Sequence, residues 1–262
     1  LRLALGSSQG DSQFYDRFHR SLTRRLPFSL SPRRDFQIAL LAGGESDDDI
    51  LAAAESFVEG RFQMLGLCVD EPTREFDWHR DYLGEHSYAT IPHHRIDFMG
   101  GSGGDVKYVW ELNRCYWIGW LGRAYWISSN TVWGRDFTRL VDSWIQENPF
   151  NVGVNWAMPM EVAIRSFWLL MGYAFFAGTD GIEDSWWERY LSLLWDHGVY
   201  LESNLEYFSN LTNHYISNLL GLVAAGVAFM DCDRGRGWLV EGRRRIVEEL
   251  ERQILDDGGH YE

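Results

Sequence analysis

From Val106 onward, apolar residues recur at helical spacing nearly to the end of the chain. Val106–Ile127 reads as one helix. Asn130 or Thr131 caps a second, which runs to Asn148-Pro149. Met158–Phe176 reads as a third. Ser185-Trp186-Trp187-Glu188 has capping-box spacing and opens another. Leu211–Phe229 is apolar nearly all round. Trp238, Leu239, Ile246, Leu250 and Ile254 mark one face of a last helix, with Arg243–Arg245, Glu248 and Glu249 outside. Upstream, Phe14, Phe18 and Leu22 share a helical face between Asp11 and Leu26, before Pro27 and Pro32 break the pattern. Asp47-Asp48-Asp49 lead into an apolar run from Ile50, where a helix dipole favours acidic residues, and Gly60 ends that helix. Phe62–Val69 reads as one short extended piece. Residues 70–106, with Pro72, Pro92 and Gly100-Gly101-Ser102-Gly103-Gly104, form a long irregular connection of the kind often tied to function. The pattern predicts roughly eight helices.

The helices differ in kind. Those at 158–176 and 211–229 are apolar on most sides, whereas those at 133–147, 185–206 and 236–256 carry charge on one side. Inner helices buried all round and amphipathic outer ones are what a two-layer ring of helical hairpins requires. A plain bundle would make every helix amphipathic. No strict sequence period is visible, so this is not read as a repeat array.

Composition narrows the function classes. The 262 residues are ample for a large core. A formal charge of −14 excludes the basic footprint of a nucleic-acid binder and argues against an anionic lipid surface. No apolar run reaches membrane-spanning length: Arg165 and Ser166 interrupt the longest, Val162–Gly178. Leu1–Gly6 is too short for the apolar region of a signal peptide. The first residue is not Met, which suggests processing or a fragment. Cys68, Cys115 and Cys232 are too few and too scattered for a disulfide framework or a zinc site. The 13 Trp, 12 Tyr and 15 Phe offer flat amphipathic surfaces of the type that sugar rings stack on, although most such rings belong in a core.

Three stretches carry more polar residues than a packed helix wants. In Asp105–Arg114, Lys107 (the single lysine), Trp110, Glu111 and Arg114 share one helical face. In Asn155–Arg165, Glu161 and Arg165 stand four residues apart at the start of a very apolar helix, where a charge must be paired or face a cleft. Ser209–Tyr215 places Asn213 and His214 at the start of another apolar helix, where they either cap it or act chemically. His93-His94 is adjacent but lacks further matching ligands, so no metal is expected.

Together these runs resemble the helical N-terminal domain of the heparinase II/III-like polysaccharide lyases, relatives of alginate lyases with the same architecture. The matching segments, in the family's order, are Asp105–Arg114, Asn148–Arg165, Thr212–His214 before Gly221-Leu222, and Asp257–Glu262. Asp77-Trp78-His79 and Arg95-Ile96-Asp97 fit the linking region. The resemblance implies an all-α fold, an incomplete (α/α) toroid of helical hairpins over 47–262 with 1–46 as lead-in, and without the family's C-terminal β-sandwich. It implies β-elimination on an anionic, uronic-acid-containing polysaccharide such as a heparin-, heparan sulfate- or alginate-like glycan, with no cofactor and a periplasmic or secreted location. Asn213 and His214 take the position that contacts the sugar carboxylate. The family's acid/base Tyr lies in a Ser-Pro-x-Tyr-His segment just after the run that here ends at Glu262; Tyr261 does not fit that place, so the sequence given is expected to stop short of the proton donor. Thr212 stands where the family often has a further Asn, and Asn218 where it often has an acid.

Around that pair, Trp110 and Trp156 are candidates to stack on sugar faces, and Asn113, Arg114, Glu161 and Arg165 to line the groove, the arginines holding carboxylate or sulfate. For each of these, internal pairing such as Glu161–Arg165 is the competing reading. Two other functions stay open: a glycoside hydrolase using Glu111 and Glu161 as its two carboxylic acids, and a non-catalytic polysaccharide-binding or exopolysaccharide-cluster protein. The oligomeric state is not readable.

Overall fold

A computed structural model describes residues 5, 14–26, 44–84, 86–99, 104–207 and 212–260. Expectations placed on Leu1–Gly6 (apart from residue 5), Asp11, Pro27, Pro32, residues 100–103, residues 208–211 and Tyr261-Glu262 lie outside them. The described helices are α1 (Phe14–Thr23), α2 (Asp47–Val58), α3 (Val106–Asn113), α4 (Trp117–Ser128), α5 (Val132–Glu147), α6 (Pro159–Phe176), α7 (Asp184–Ser203), α8 (Asn213–Phe229) and α9 (Asp233–Gln253). One small hairpin, β1 (Arg61–Met64) and β2 (Leu67–Asp70), is the sheet among the described residues. The all-α class predicted from periodicity is the class observed. The chain forms two compact units, one of Leu1–Leu26, Met158–Leu170 and Asp184–Glu262, the other of Pro27–Ala157 and Met171–Glu183.

In the first unit, α8 is largely buried, with Tyr215, Leu219, Leu222 and Phe229 in the core, although Leu220 is exposed. Its Gly221 packs against Ala163 of α6: a Cβ there would lie 2.5 Å from the Ala163 Cα, so the two helix backbones approach as only glycine permits. Phe18 of α1 meets Phe229 at 5.9 Å, and Trp195 of α7 lies between Phe229 and Trp238. The Arg25 guanidinium binds Asp231, which holds that carboxyl below the usual range. The inward face of α9 differs from the expected apolar stripe. Trp238, Gly242, Glu249 and Gln253 are buried, while Leu250 and Ile254 are exposed. Glu249 tolerates burial because its carboxylate accepts from Gln253 at 3.0 Å and from Arg252 at 2.8 Å.

In the second unit, α2 begins at a true capping box: Ser46 Oγ accepts from the Asp49 amide, and the Asp49 carboxylate accepts from the Ser46 amide. The extended piece predicted over Phe62–Val69 is a two-stranded antiparallel hairpin, with Phe62 opposite Val69 and Met64 opposite Leu67. Leu65 (φ 48°) and Gly66 (φ 81°) both occupy the left-handed region, which a two-residue turn of this hand requires. The single helix predicted over Val106–Ile127 is two, α3 and α4. Cys115, at φ 64°, breaks it, and the Asn113 carboxamide satisfies the Val109 carbonyl at the end of α3. Thr131 holds the N-cap position of α5 without a side-chain bond, and the Asn130 side chain accepts from the Val132 amide at 3.0 Å. Ser185, expected to open a helix, already lies inside α7, which starts at Asp184. Along α5, Trp133, Phe137, Leu140, Val141 and Trp144 bury one face, and Phe137 stacks on Phe176 at 4.3 Å.

Candidate functional site

Four of the eight residues singled out from sequence, Trp110, Asn113, Arg114 and Trp156, belong to the second unit. Three of them are built into one buried polar framework. Asn113 donates to the carbonyls of Trp78 (2.8 Å) and Val109 (2.7 Å), and its own oxygen accepts from the Trp144 indole at 2.8 Å. Asn155 donates to the same Trp78 carbonyl at 2.9 Å and to the Asn148 side chain at 2.8 Å. The Trp156 indole donates to the Asn148 carbonyl, and the Trp110 indole to the Val154 carbonyl at 3.0 Å. Buried amides and indoles must find such partners, and here they include the backbone carbonyls of Trp78 and Asn148.

This placement corrects the stacking expectation. Trp156 is fully buried and Trp110 is 8% exposed, so neither ring offers an open face to a sugar. Asn113, at 1% exposure, is likewise a frame residue. Arg114 is partly exposed and bonds Glu111 at 2.7 Å, the internal pairing weighed against a groove role.

Glu161, Arg165, Asn213 and His214 belong to the first unit. Glu161 and Arg165 are at most 1% exposed, so they too are internal. Arg165 Nε donates to His197 Nε2 at 2.8 Å, while His197 Nδ1 lies 2.8 Å from the Leu193 carbonyl. A carbonyl accepts only, so Nδ1 carries the proton and the ring is neutral. Burial first, and the Arg165 charge second, hold the His197 pKa well below the ordinary histidine value. Burial also pushes the Tyr200 phenol up, against the opposing pull of Arg165. The two carboxylates that a hydrolase would need are therefore committed elsewhere: Glu111 to Arg114, and Glu161 inside the core.

Asn213 and His214 stand apart from this pattern. They form the first turn of the 17-residue α8, with Thr212 as N-cap accepting from the His214 amide at 3.3 Å. Asn213 is exposed and the His214 side chain is 38% exposed. The positive end of the helix dipole favours an anion there. Behind them lies a residue that the sequence reading missed. Glu206, from the segment after α7, accepts from His214 Nδ1 at 3.1 Å and from Asn218 at 3.0 Å, while its amide donates to the Asn218 side chain at 2.8 Å. No motif announces Glu206, which meets a histidine eight residues onward.

Next to this turn is a cleft of about 430 Å³ lined by Leu205, Tyr207, Tyr215, Arg244, Arg245 and Glu248 among others. Its arginines are already engaged. Arg244 binds Glu241 and Glu248, and Arg245 binds Glu241 and donates to the Tyr215 hydroxyl at 3.2 Å. The two guanidinium groups hold the Glu241 carboxyl down to about 2. Among the described residues, no group of three or more His, Cys, Asp or Glu side chains could hold a metal ion, and no helix is long and apolar enough to cross a membrane.

The described residues thus form an all-α chain with an exposed Asn-His pair at the first turn of a largely buried helix. The family model described as "Heparinase II/III N-terminus" matches residues 57–262. A heparin-sulfate lyase from Bacteroides stercoris is 21% identical over 205 residues, covering 70% of this chain and 30% of the relative. Among solved structures, heparan sulfate lyase HepC from Pedobacter heparinus shares the fold with a TM-score of 0.68 at 15% identity, over 95% of this chain and 36% of that one. A heparinase III structure gives 0.59 at 19% identity, over 80% and 31%. The chain thus belongs to the heparinase II/III N-terminal family, and it spans about a third of the length of the relatives it matches.

Proposed function

We propose that this chain supplies the helical part of a polysaccharide lyase that cleaves a uronic-acid-containing glycan by β-elimination. The (α/α) toroid arrangement and a periplasmic or secreted location are parts of the same proposal. The observation that carries it is the exposed Asn213-His214 pair at the N-terminus of α8.

The chemistry asks for such a place. The proton α to a sugar carboxylate is far from acidic, so the carboxylate must be neutralised before it can take up the enolate charge. The Asn213 carboxamide and the oriented amides of the first helical turn donate to that carboxylate, and His214 adds either a hydrogen bond or a positive charge. Proton transfer belongs to a tyrosine that the family resemblance places after the Asp257–Glu262 run. The lyase names of the relatives support an anionic glycan as substrate.

The test is an assay of the complete gene product on heparan sulfate, heparin and alginate, following the absorbance of unsaturated uronate. Unsaturated product is the expected result. New reducing ends without unsaturation would establish hydrolysis instead, and glycan binding without turnover a non-catalytic role.

A further inference from the structure

We infer that Glu206 is a positioning residue for His214: it fixes the imidazole proton on Nδ1 and leaves Nε2 as the working nitrogen of the site. This rests on the reading of His214 given above.

Three contacts carry it. The Glu206 carboxylate lies 3.1 Å from His214 Nδ1. An ionised carboxylate only accepts, so the contact requires a proton on Nδ1. That holds for the neutral ring and for the imidazolium alike. Among the described residues the Nε2 edge makes no hydrogen bond, so it is a lone pair in one form and an N–H donor in the other. The second carboxylate oxygen is taken by Asn218 Nδ2 at 3.0 Å, and Asn218 Oδ1 accepts the Glu206 amide at 2.8 Å. Asn218 is fully buried and sits four residues beyond His214, on the same side of α8. It therefore clamps both the main chain and the side chain of Glu206, which removes the rotation that would otherwise let the carboxylate swing away.

The arrangement also answers a cost. A carboxylate near a site for an anionic sugar repels it unless the charge is balanced. Glu206 is 18% exposed, and its oxygens are directed at His214 and Asn218, so part of its charge is met locally. When the ring is protonated, Glu206 and His214 form an ion pair whose outward-facing atom is the positive Nε2–H. One ring nitrogen thus belongs to the protein and the other to the ligand, the usual division of a histidine held by a carboxylate.

The test uses the complete gene product with Glu206→Gln, Glu206→Ala and Asn218→Leu, each read in two ways. The first reading is the His214 tautomer, from imidazole ¹⁵N NMR. The Nδ1–H form is expected to dominate in the parent and to lose that dominance in Glu206→Ala. The second is steady-state kinetics, where kcat is expected to fall on the order of 10- to 100-fold in the Glu206 variants with KM nearly unchanged. An unchanged Nδ1–H tautomer in Glu206→Ala overturns the inference, whatever the kinetics. So does parental kcat in both Glu206 variants when His214→Ala is inactive. Full activity in His214→Ala contradicts the site reading instead, while the NMR result still decides whether Glu206 sets the tautomer.

Discussion

The Asn113–Asn155–Asn148 framework of one unit and the Glu206–His214–Asn218 cluster of the other are built from the same chemistry and do opposite work. In the framework the carboxamides are buried and bond backbone carbonyls, an indole and one another, so none of them faces a ligand. In the cluster one buried carboxamide, Asn218, secures a carboxylate, and the side chains beyond it reach solvent. A family-like run of Asn, Trp and Arg can thus mark either a scaffold or a site. The distinction lies in whether the end of the network is buried or reaches solvent.

The sharpest way to separate the two regions is to break the framework. Asn113→Ala strands the Trp144 indole and removes two donated bonds. It is expected to cost about 2–4 kcal/mol of unfolding free energy in urea melts, with substrate KM unchanged at temperatures where the protein stays folded. A KM effect would make Asn113 a groove residue after all. Next is Gly221→Ala, where the new Cβ meets the Ala163 backbone. Overpacking there is expected to cost about 1–3 kcal/mol in the same melts, and a neutral outcome would mean that α6 and α8 can part without penalty.

A smaller effect concerns pH. The folded-state pKa of His197 lies below its unfolded value, so the unfolded chain binds the extra proton first. Its contribution is complete above the ordinary histidine pKa of about 6.5 and is lost as pH falls below it. His197→Gln should flatten the stability profile in that acid limb, as read by melting temperature against pH; an equally steep limb would assign the effect to other groups. The least effect is expected at Glu241. Its pKa, lowered to about 2, means that stability is held above the ordinary carboxylate range and lost as pH drops toward 2. Because this pair is exposed, Glu241→Gln should change stability by only about 0.5 kcal/mol at neutral pH, and salt should erase the difference.

Much of the fold was legible because periodicity survives wherever a helix buries one side. α5, α6 and α8 all fall within a few residues of their expected limits. The break at Cys115 was not legible, because no glycine or proline marks it. The inward face of α9 was misread because Glu249 and Gln253 satisfy each other and so can be buried, which no hydropathy pattern signals. Trp110 and Trp156 show the limit of reading chemistry from residue type, since an indole beside polar residues looks the same whether its N–H serves a sugar or a loop carbonyl. Asn213 and His214 were read from a motif, whereas Glu206, which bonds His214 from eight residues upstream, carries no such signal.

The most direct test of the central claim, that chemistry belongs to the first turn of α8 and not to the buried framework, is the Asn213→Ala variant of the complete gene product. It is assayed for unsaturated uronate and melted in parallel with the parent. The expected result is a loss of kcat on the order of 10²–10³-fold, the scale for removing one donor to a developing oxyanion, with the melting midpoint unchanged. Full lyase activity in that variant would contradict the account.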